Sequence, residues 1–386
     1  MTIVVAGAIA NKPLNGGESW VRLNWTLGLA RLGHPVYLVE QISPEACVDA
    51  KGRPARFKES LNATFFERVV REFGLERSAT LICGEGPETL GLPLSELLSL
   101  VERADLLVNI SGHLRSEPLL ERARLKVFVD LDPGFTQVWH ARGDPDAGVA
   151  GHDYYYTVGA NIGSPGCPIP TSGIDWRPVR PPVVLDLWPV VAGRTDGSFT
   201  TVARWRNPYG PLELDGVTYG LKHHELRRMI ELPGHVECPL EIALDIHEGD
   251  SADLEALRSN GWRVSDPRDV VPDPHSFRRY VQGSAAEFSV AQGVYTDTGS
   301  GWFSDRTATY LASGKPALVQ DTGLAEELAS GQGLLRFRTL AEAIDGVERI
   351  VADYDVHAQA ARALAERHLD SDRVLGELLT DVGVGS

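Results

Sequence analysis

With 386 residues, 43% hydrophobic and 23% charged, the chain can bury two cores of ordinary domain size and is too apolar for intrinsic disorder. Its 53 acidic against 37 basic side chains leave a formal charge of −16 with no Lys/Arg block, which argues against nucleic acid or an anionic membrane as partner. Four cysteines (Cys47, Cys83, Cys167, Cys238) form no paired motif, as expected of reduced thiols in the cytoplasm, and the apolar run Ile3–Ala10 is too short to span a membrane and lacks a basic leader.

Thr2–Ala8, apolar and β-branched, predicts a first strand. A turn at Asn15-Gly16-Gly17 opens a helix over Glu18–Leu32, Gly33 closes it, and Pro35–Val39 is the next strand, which together make a βαβ unit. Helices near Lys58–Phe73 and Leu94–Ala104 then alternate with strands near Thr80–Cys83, Asp105–Ile110 and Lys126–Leu131. The run Asp153-Tyr-Tyr-Tyr-Thr predicts a strand with one exposed face. Residues 163–182 carry six prolines and three glycines, too many for a regular element, and predict the interdomain connection.

A second alternation follows: strand Phe199–Ala203, helix Lys222–Leu232, strand Leu240–Leu244, helix Ala252–Asn260, strand Glu287–Tyr295, a Gly-rich loop, a helix from Ser304, strand Ala317–Gln320, and a helical tail over Leu340–Leu379. Continuous apolar strands interleaved with amphipathic helices imply an α/β fold of two Rossmann-like domains, 1–180 and 181–386, facing a central cleft, with the final helix able to pack back on the first domain. Ligands in such folds sit beyond the carboxyl ends of the strands.

Thr298, Gly299, Ser300 and Gly301 are expected to leave a strand end and enter the Ser304 helix with free N–H groups, a geometry suited to a diphosphate. Ser304 or Asp305 would cap that helix, and Arg306 either contacts the anion or pairs with Asp305 or Asp297. Asp130-Leu-Asp132 at a strand end offers a metal-binding pair, a polar strand end or a general base, the last two being favoured. His113, Asp132 and Glu18 are the candidate bases on the first domain, each with a local structural reading beside the catalytic one: loop residue, turn former and helix-dipole partner. His223 and His224, adjacent on a helix, diverge too far to share a metal, and no metal site is expected. Trp139 and Trp302 could stack on a sugar, although large aromatics more often fill cores.

Several of these stretches resemble GT-B glycosyltransferases, members of families 1 and 4 among them. Pro13-Leu-Asn-Gly-Gly-Glu followed by Gly28-Leu-Ala-Arg-Leu-Gly-His-Pro-Val is similar to their Gly-Gly loop, helix and strand entry; Phe199-Thr-Thr-Val-Ala-Arg-Trp with the later Lys222 resembles the Arg and Lys that clamp the donor diphosphate; and Gly299 to Gly323 resembles their sugar-nucleotide site. The resemblance implies a nucleotide-diphosphate-sugar donor held by Gly16, Gly17, Arg204, Lys222, Gly299, Ser300, Gly301, Ser304 and Arg306, transfer to a small-molecule or glycan acceptor, and no cofactor or metal. The pattern departs from the retaining members, whose two glutamates fall here at Gly301 and Thr309, so ribose or sugar contacts would pass to Asp321 and Thr322. A sugar-nucleotide epimerase or hydrolase, or a non-catalytic scaffold on the same fold, are the alternatives.

Overall fold

The apolar runs build two parallel sheets in a computed structural model that describes residues 1–384 apart from 87, 194–196, 208 and 330. The first sheet contains β1 (Ile3–Gly7), β2 (Val36–Ile42), β3 (Ala79–Cys83), β4 (Thr89–Leu90), β5 (Leu106–Ile110), β6 (Lys126–Asp130), β7 (Tyr154–Thr157) and β8 (Trp176–Pro178), in the order β4-β3-β2-β1-β5-β6-β7-β8. Only β4 runs antiparallel, paired to β3. The second sheet follows as β9 (Phe199–Arg204), β12 (Leu240–Asp245), β13 (Arg263–Ser265), β14 (Ala286–Ser289), β15 (Ala317–Gln320) and β16 (Leu334–Phe337), ordered β13-β12-β9-β14-β15-β16; β10 (Leu212–Leu214) and β11 (Val217–Tyr219) form a separate hairpin after β9. Every residue of β1, β3, β5 and β15 is buried, which is why these strands read as largely apolar runs rather than alternating ones. Strand order reverses between β1 and β5 and between β9 and β14, and the loops at those two points border the crevice between the domains.

Two expected elements differ. The Pro-rich stretch is not the connection: Trp176–Pro178 within it is the edge strand β8, where a proline can sit at the last pairing position without breaking a ladder. The chain crosses over after it, where the Val183 N–H donates to the Leu369 carbonyl and Trp188 is buried against Trp20 and Phe277. The run Glu287–Tyr295 is not one strand either. β14 stops at Ser289, and Gly293–Asp297 coils into a short helix, because the Ala291 N–H is taken by the Gln320 side chain and Gly293 N–H by the Gly220 carbonyl, which turns the chain out of the sheet.

Glycines let the two domains approach. The first helix, Gly16–Arg31, crosses helix Pro274–Gly283 at its N-terminus and the last helix, Ser371–Asp381, at Gly28. A Cβ on Gly28 would lie 2.6 Å from Leu375 Cδ1, and one on Gly16 2.1 Å from the Asp273 carbonyl oxygen. Because the obstacle at Gly16 is backbone, Gly16→Ala is expected to cost about 1–3 kcal/mol and to lower the melting temperature by several degrees in a thermal scan; an unchanged midpoint would mean that the domains do not meet there in solution. None of the described helices is long and apolar enough to cross a membrane.

Candidate functional site

The Gly-rich loop is not a free cradle. It leaves a short helix rather than a strand, and its N–H groups are all spent within the protein: Gly299 on the Thr296 carbonyl, Ser300 on Tyr295, and Gly301 on Thr322 at 2.6 Å. From the first domain the Asn161 side-chain amide donates to the carbonyls of Gly299 (2.8 Å) and Gly323 (2.9 Å), while the Asn161 backbone N–H donates to the Ser300 carbonyl. Gly299 and Gly301 have positive φ (58° and 72°), and a Cβ on Gly301 would lie 2.9 Å from Asn161 Cγ. The glycines therefore serve a tight turn and an interdomain clasp.

Other expected phosphate ligands are likewise engaged. Gly16 and Gly17 face Asp273 and Phe277 of the second domain, which leaves no room for a phosphate at their Cα atoms. Arg306 reaches inward, donating from Nε to Glu287 Oε1 (2.7 Å), from Nη1 to the Val202 carbonyl (2.7 Å) and from Nη2 to Ser289 Oγ. Its partner is Glu287, not Asp305 or Asp297. Asp321 accepts two bonds from Arg338 (3.0 and 2.7 Å), and the Thr322 hydroxyl donates to the Trp302 carbonyl (2.7 Å), so the pair fixes the loop. Ser304 caps helix Asp305–Ala312 by accepting the Arg306 N–H. Thr309, where the resemblance would place a second glutamate, turns its hydroxyl back to the Arg306 carbonyl (2.7 Å). Arg204 ends β9, exposed and paired with Asp245 (2.9 Å). Beside the N-terminus of helix Asp305–Ala312, bounded by Ser289, Ser304, Thr307 and Gln320, there is a cavity of about 10 Å³, the size of one water rather than of a phosphate. Its lining comes entirely from the second domain.

What converges on the crevice is a set of charged side chains from both domains. Glu18, in the first turn of the first helix, accepts from Lys12 Nζ (2.8 Å) and from Arg22 Nη1, one turn on (2.5 Å). Burial pushes the Glu18 carboxyl up, but Lys12 and Arg22 outweigh it and hold Glu18 well below the usual range. Arg22 itself is 2% exposed, lies across Gly7 at the end of β1, and has a buried Nε–H without an acceptor among the described residues. His113, following β5, is driven down to about 3 by burial and by the nearby Arg22 and Lys12, and is therefore neutral across the physiological range. The loop that presents Lys12 is held from beneath: the buried Glu40 carboxylate at the end of β2 accepts the N–H groups of Ile9, Ala10 and Asn11 (2.7, 2.8 and 2.7 Å), while Asn62 Nδ2 donates to the Ala10 carbonyl. Burial raises Glu40 to about 7, against the three donors.

Across the crevice stand Lys222, Tyr295 and Asp305. Lys222 opens helix Lys222–Arg228, keeps part of its surface open to solvent, and is lowered to about 7 by burial and by Arg306, against the attraction of Glu287 and Asp132. Asp305 is raised to about 7 by burial, Arg22 opposing and Glu18 reinforcing the shift. The Tyr295 hydroxyl donates to Asp132 Oδ1 (3.3 Å). Asp132 keeps much of its surface open to solvent, but the protein crowded around its carboxyl, and Glu18, raise its pKa, with Lys12, Tyr295 and Arg22 pulling the other way. Its neighbour Asp130 is closed off: the buried carboxylate accepts from Thr136 Oγ1 (2.6 Å), Gln137 Nε2 (2.8 Å), Thr157 Oγ1 (2.7 Å) and the Asp132 N–H (3.0 Å). Asp130 is thus an anchor that fixes the turn presenting Asp132, and the two aspartates do not face one cation. Among the described residues no three His, Cys, Asp or Glu side chains gather as a metal would need.

The structure thus brings together Glu18, His113, Asp132 and Lys222 of the expected residues. Sequence reasoning missed Lys12, Arg22, Asp305 as a crevice residue, and Tyr295. Only Arg22 carried a usable signal, its four-residue spacing from Glu18 on one helix.

Neither family models nor curated proteins match this sequence. Solved structures match along its whole length. An α-glucosyltransferase in complex with UDP and a 13-mer DNA containing a HMU base aligns with a TM-score of 0.60 and 12% identity over 99% of both chains. AviGT4, a glycosyltransferase involved in avilamycin A biosynthesis, gives 0.58 and 15% over 99% of this chain and 97% of its own. HepE of Anabaena, in complex with UDP and glucose, gives 0.57 and 11% over 99% and 100%. At that identity the likeness establishes the fold: two Rossmann-like domains in the GT-B arrangement.

Proposed function

We propose that the protein is a glycosyltransferase that moves a sugar from a nucleoside-diphosphate donor to a hydroxyl-bearing acceptor in this crevice. The observation that carries the reading is the meeting of the domains at Asp132, a first-domain carboxylate that accepts from Tyr295 of the second domain and lies near enough to Lys222 to favour its charged form. As the bond from the anomeric carbon to the diphosphate breaks, the electron pair leaves with the diphosphate, and Lys222 supplies countercharge. Asp132, held by the Asp130 turn and Tyr295, takes the proton of the attacking hydroxyl; His113 is too weak a base and Glu18 is committed to orienting Lys12 and Arg22. Full-length structural likeness to UDP-bound glycosyltransferases supports a sugar-nucleotide donor. One of those structures contains DNA, but a chain charged −16 without a basic block suits a small-molecule or glycan acceptor better. The free thiols suit the cytoplasm.

A thermal-shift panel of UDP, GDP and dTDP tests the donor: one of them should raise the melting temperature, because a ligand that binds only the folded chain stabilises it. The sealed Gly299–Gly301 loop favours one other reading, a non-catalytic scaffold, for which none of the three would shift it. Because a side chain supplies the countercharge in this reading, transfer should persist at full rate in excess EDTA; loss of activity restored by Mg²⁺ or Mn²⁺ would reassign that role to a metal ion.

A further inference from the structure

A row of aromatic rings runs from the crevice to the surface. Tyr295, bonded to Asp132, stands 6.4 Å from Phe135, which is 5.6 Å from Trp139, whose ring meets Tyr209 at 4.7 Å edge to face. Tyr295 and Phe135 are buried with Val138, Leu212, Tyr219 and Val294. Trp139 is only partly buried, and Tyr209 is 63% exposed, more than any other large apolar or aromatic side chain described. The pair joins both domains, Trp139 from helix Phe135–Ala141 and Tyr209 from the segment that follows β9 into the β10–β11 hairpin. That hairpin turns at Asp215-Gly216, both at positive φ, and its outer strand is tied down by Arg142 Nη2 on the Glu213 carbonyl (2.5 Å). Side-chain amides flank the rings: the Tyr209 N–H donates to Asn207 Oδ1 (3.0 Å), and Asn207 Nδ2 reaches Gln292 Oε1 at 3.5 Å, a weak bond at the limit of hydrogen-bond length.

We propose that Trp139 and Tyr209, with Asn207 and Gln292, form a saccharide subsite that receives a sugar ring of the acceptor at the outer end of this row. An aromatic face covers the C–H side of a pyranose while neighbouring amides take its hydroxyls, and a solvent-facing ring already packed edge to face on its neighbour loses little entropy on binding. The subsite rests on the glycosyltransferase reading and narrows it: the acceptor is itself a sugar or glycoside long enough to lie between the rings and Asp132, rather than a simple alcohol.

Saturation-transfer NMR tests it directly, with the full chain and a panel of methyl glycosides and mono-, di- and trisaccharides of glucose, galactose and mannose at millimolar concentration. At least one saccharide should receive saturation, strongest on the ring protons of one face. Tyr209→Ala, safe for folding at so exposed a position, should weaken its binding about tenfold or more, Tyr209→Phe should retain it, and Trp139→Ala should match Tyr209→Ala, since such ring contacts account for an order of magnitude in affinity. Absence of saturation across the panel, or equal binding by Tyr209→Ala, overturns the subsite. The nucleoside-diphosphate thermal shift is read separately: if it is present while every saccharide fails, the subsite falls and the transferase reading stands, and the reverse pattern leaves a saccharide-binding protein without donor chemistry.

Discussion

Asp132→Asn is expected to lower the turnover of sugar transfer by roughly 10²–10⁴-fold, the usual cost of losing a positioned base, while leaving nucleotide binding and the melting temperature near wild type. The residue is exposed, its carboxylate accepts only the 3.3 Å bond from Tyr295 among the described residues, and it lends nothing to either core, so the amide fits the same space. Its pH signature follows from the environment. The protein crowded around the carboxyl and the nearby Glu18 raise Asp132, and the base form is the ionised one, so the rate should rise with pH through a value above the ordinary carboxylate range and then level. Asp305, raised to about 7, is the competing source of such a limb. Asp305→Asn separates them: it should leave the acid limb in place, whereas Asp132→Asn removes both limb and rate. A full rate in Asp132→Asn would exclude it as the base. Asp130→Asn should behave differently again, disturbing the turn through a buried group bonded to Thr136, Gln137 and Thr157, and showing itself first as lost stability.

The sheets were legible because a strand buried on both faces has to be apolar at successive positions; Leu106–Ile110 and Ala317–Gln320 are found where their composition predicts, and Gly33 stops the first helix at positive φ. The interrupted run at 287–295 was not, since the residues that turn it, Gln320 and Gly220, lie far along the chain. The same reason explains the glycines. Sequence shows that a residue lacks a Cβ, but not what fills the space: at Gly16 it is Asp273, at Gly28 Leu375, at Gly301 Asn161, each a contact between distant segments rather than room for a phosphate. Lys222 and Asp132 were readable one at a time, as the first residue of a helix and the exit of a strand. Their confrontation is a product of the way the two domains meet, whereas Lys12 and Arg22 gather around Glu18 locally, within the first helix and the loop before it, and with burial set His113 aside as a base.

Lys222→Met should reduce turnover by roughly 10²–10³-fold, the scale on which removal of one preorganised charge-stabilising group is felt, and should also remove a proton from the binding reaction. With no ligand present, burial and Arg306 hold the ammonium near 7, so at pH 8 the side chain is mostly neutral. A diphosphate beside it favours the charged form and raises that pKa, and binding at pH 8 therefore draws a proton from solution. The sign fixes the pH window: affinity is full below about 7, where Lys222 is already charged, and declines as pH rises above it until the pKa of the bound state is passed. Calorimetry of a nucleoside diphosphate in two buffers of different ionisation enthalpy measures the uptake, which should approach one proton in the wild type at pH 8 and vanish in Lys222→Met. Lys222→Arg, charged at every accessible pH, should bind with no uptake and little dependence on pH between 7 and 9. Wild-type binding with no proton exchanged, and with the affinity unchanged in Lys222→Met, would put the diphosphate elsewhere and take the crevice out of the reaction.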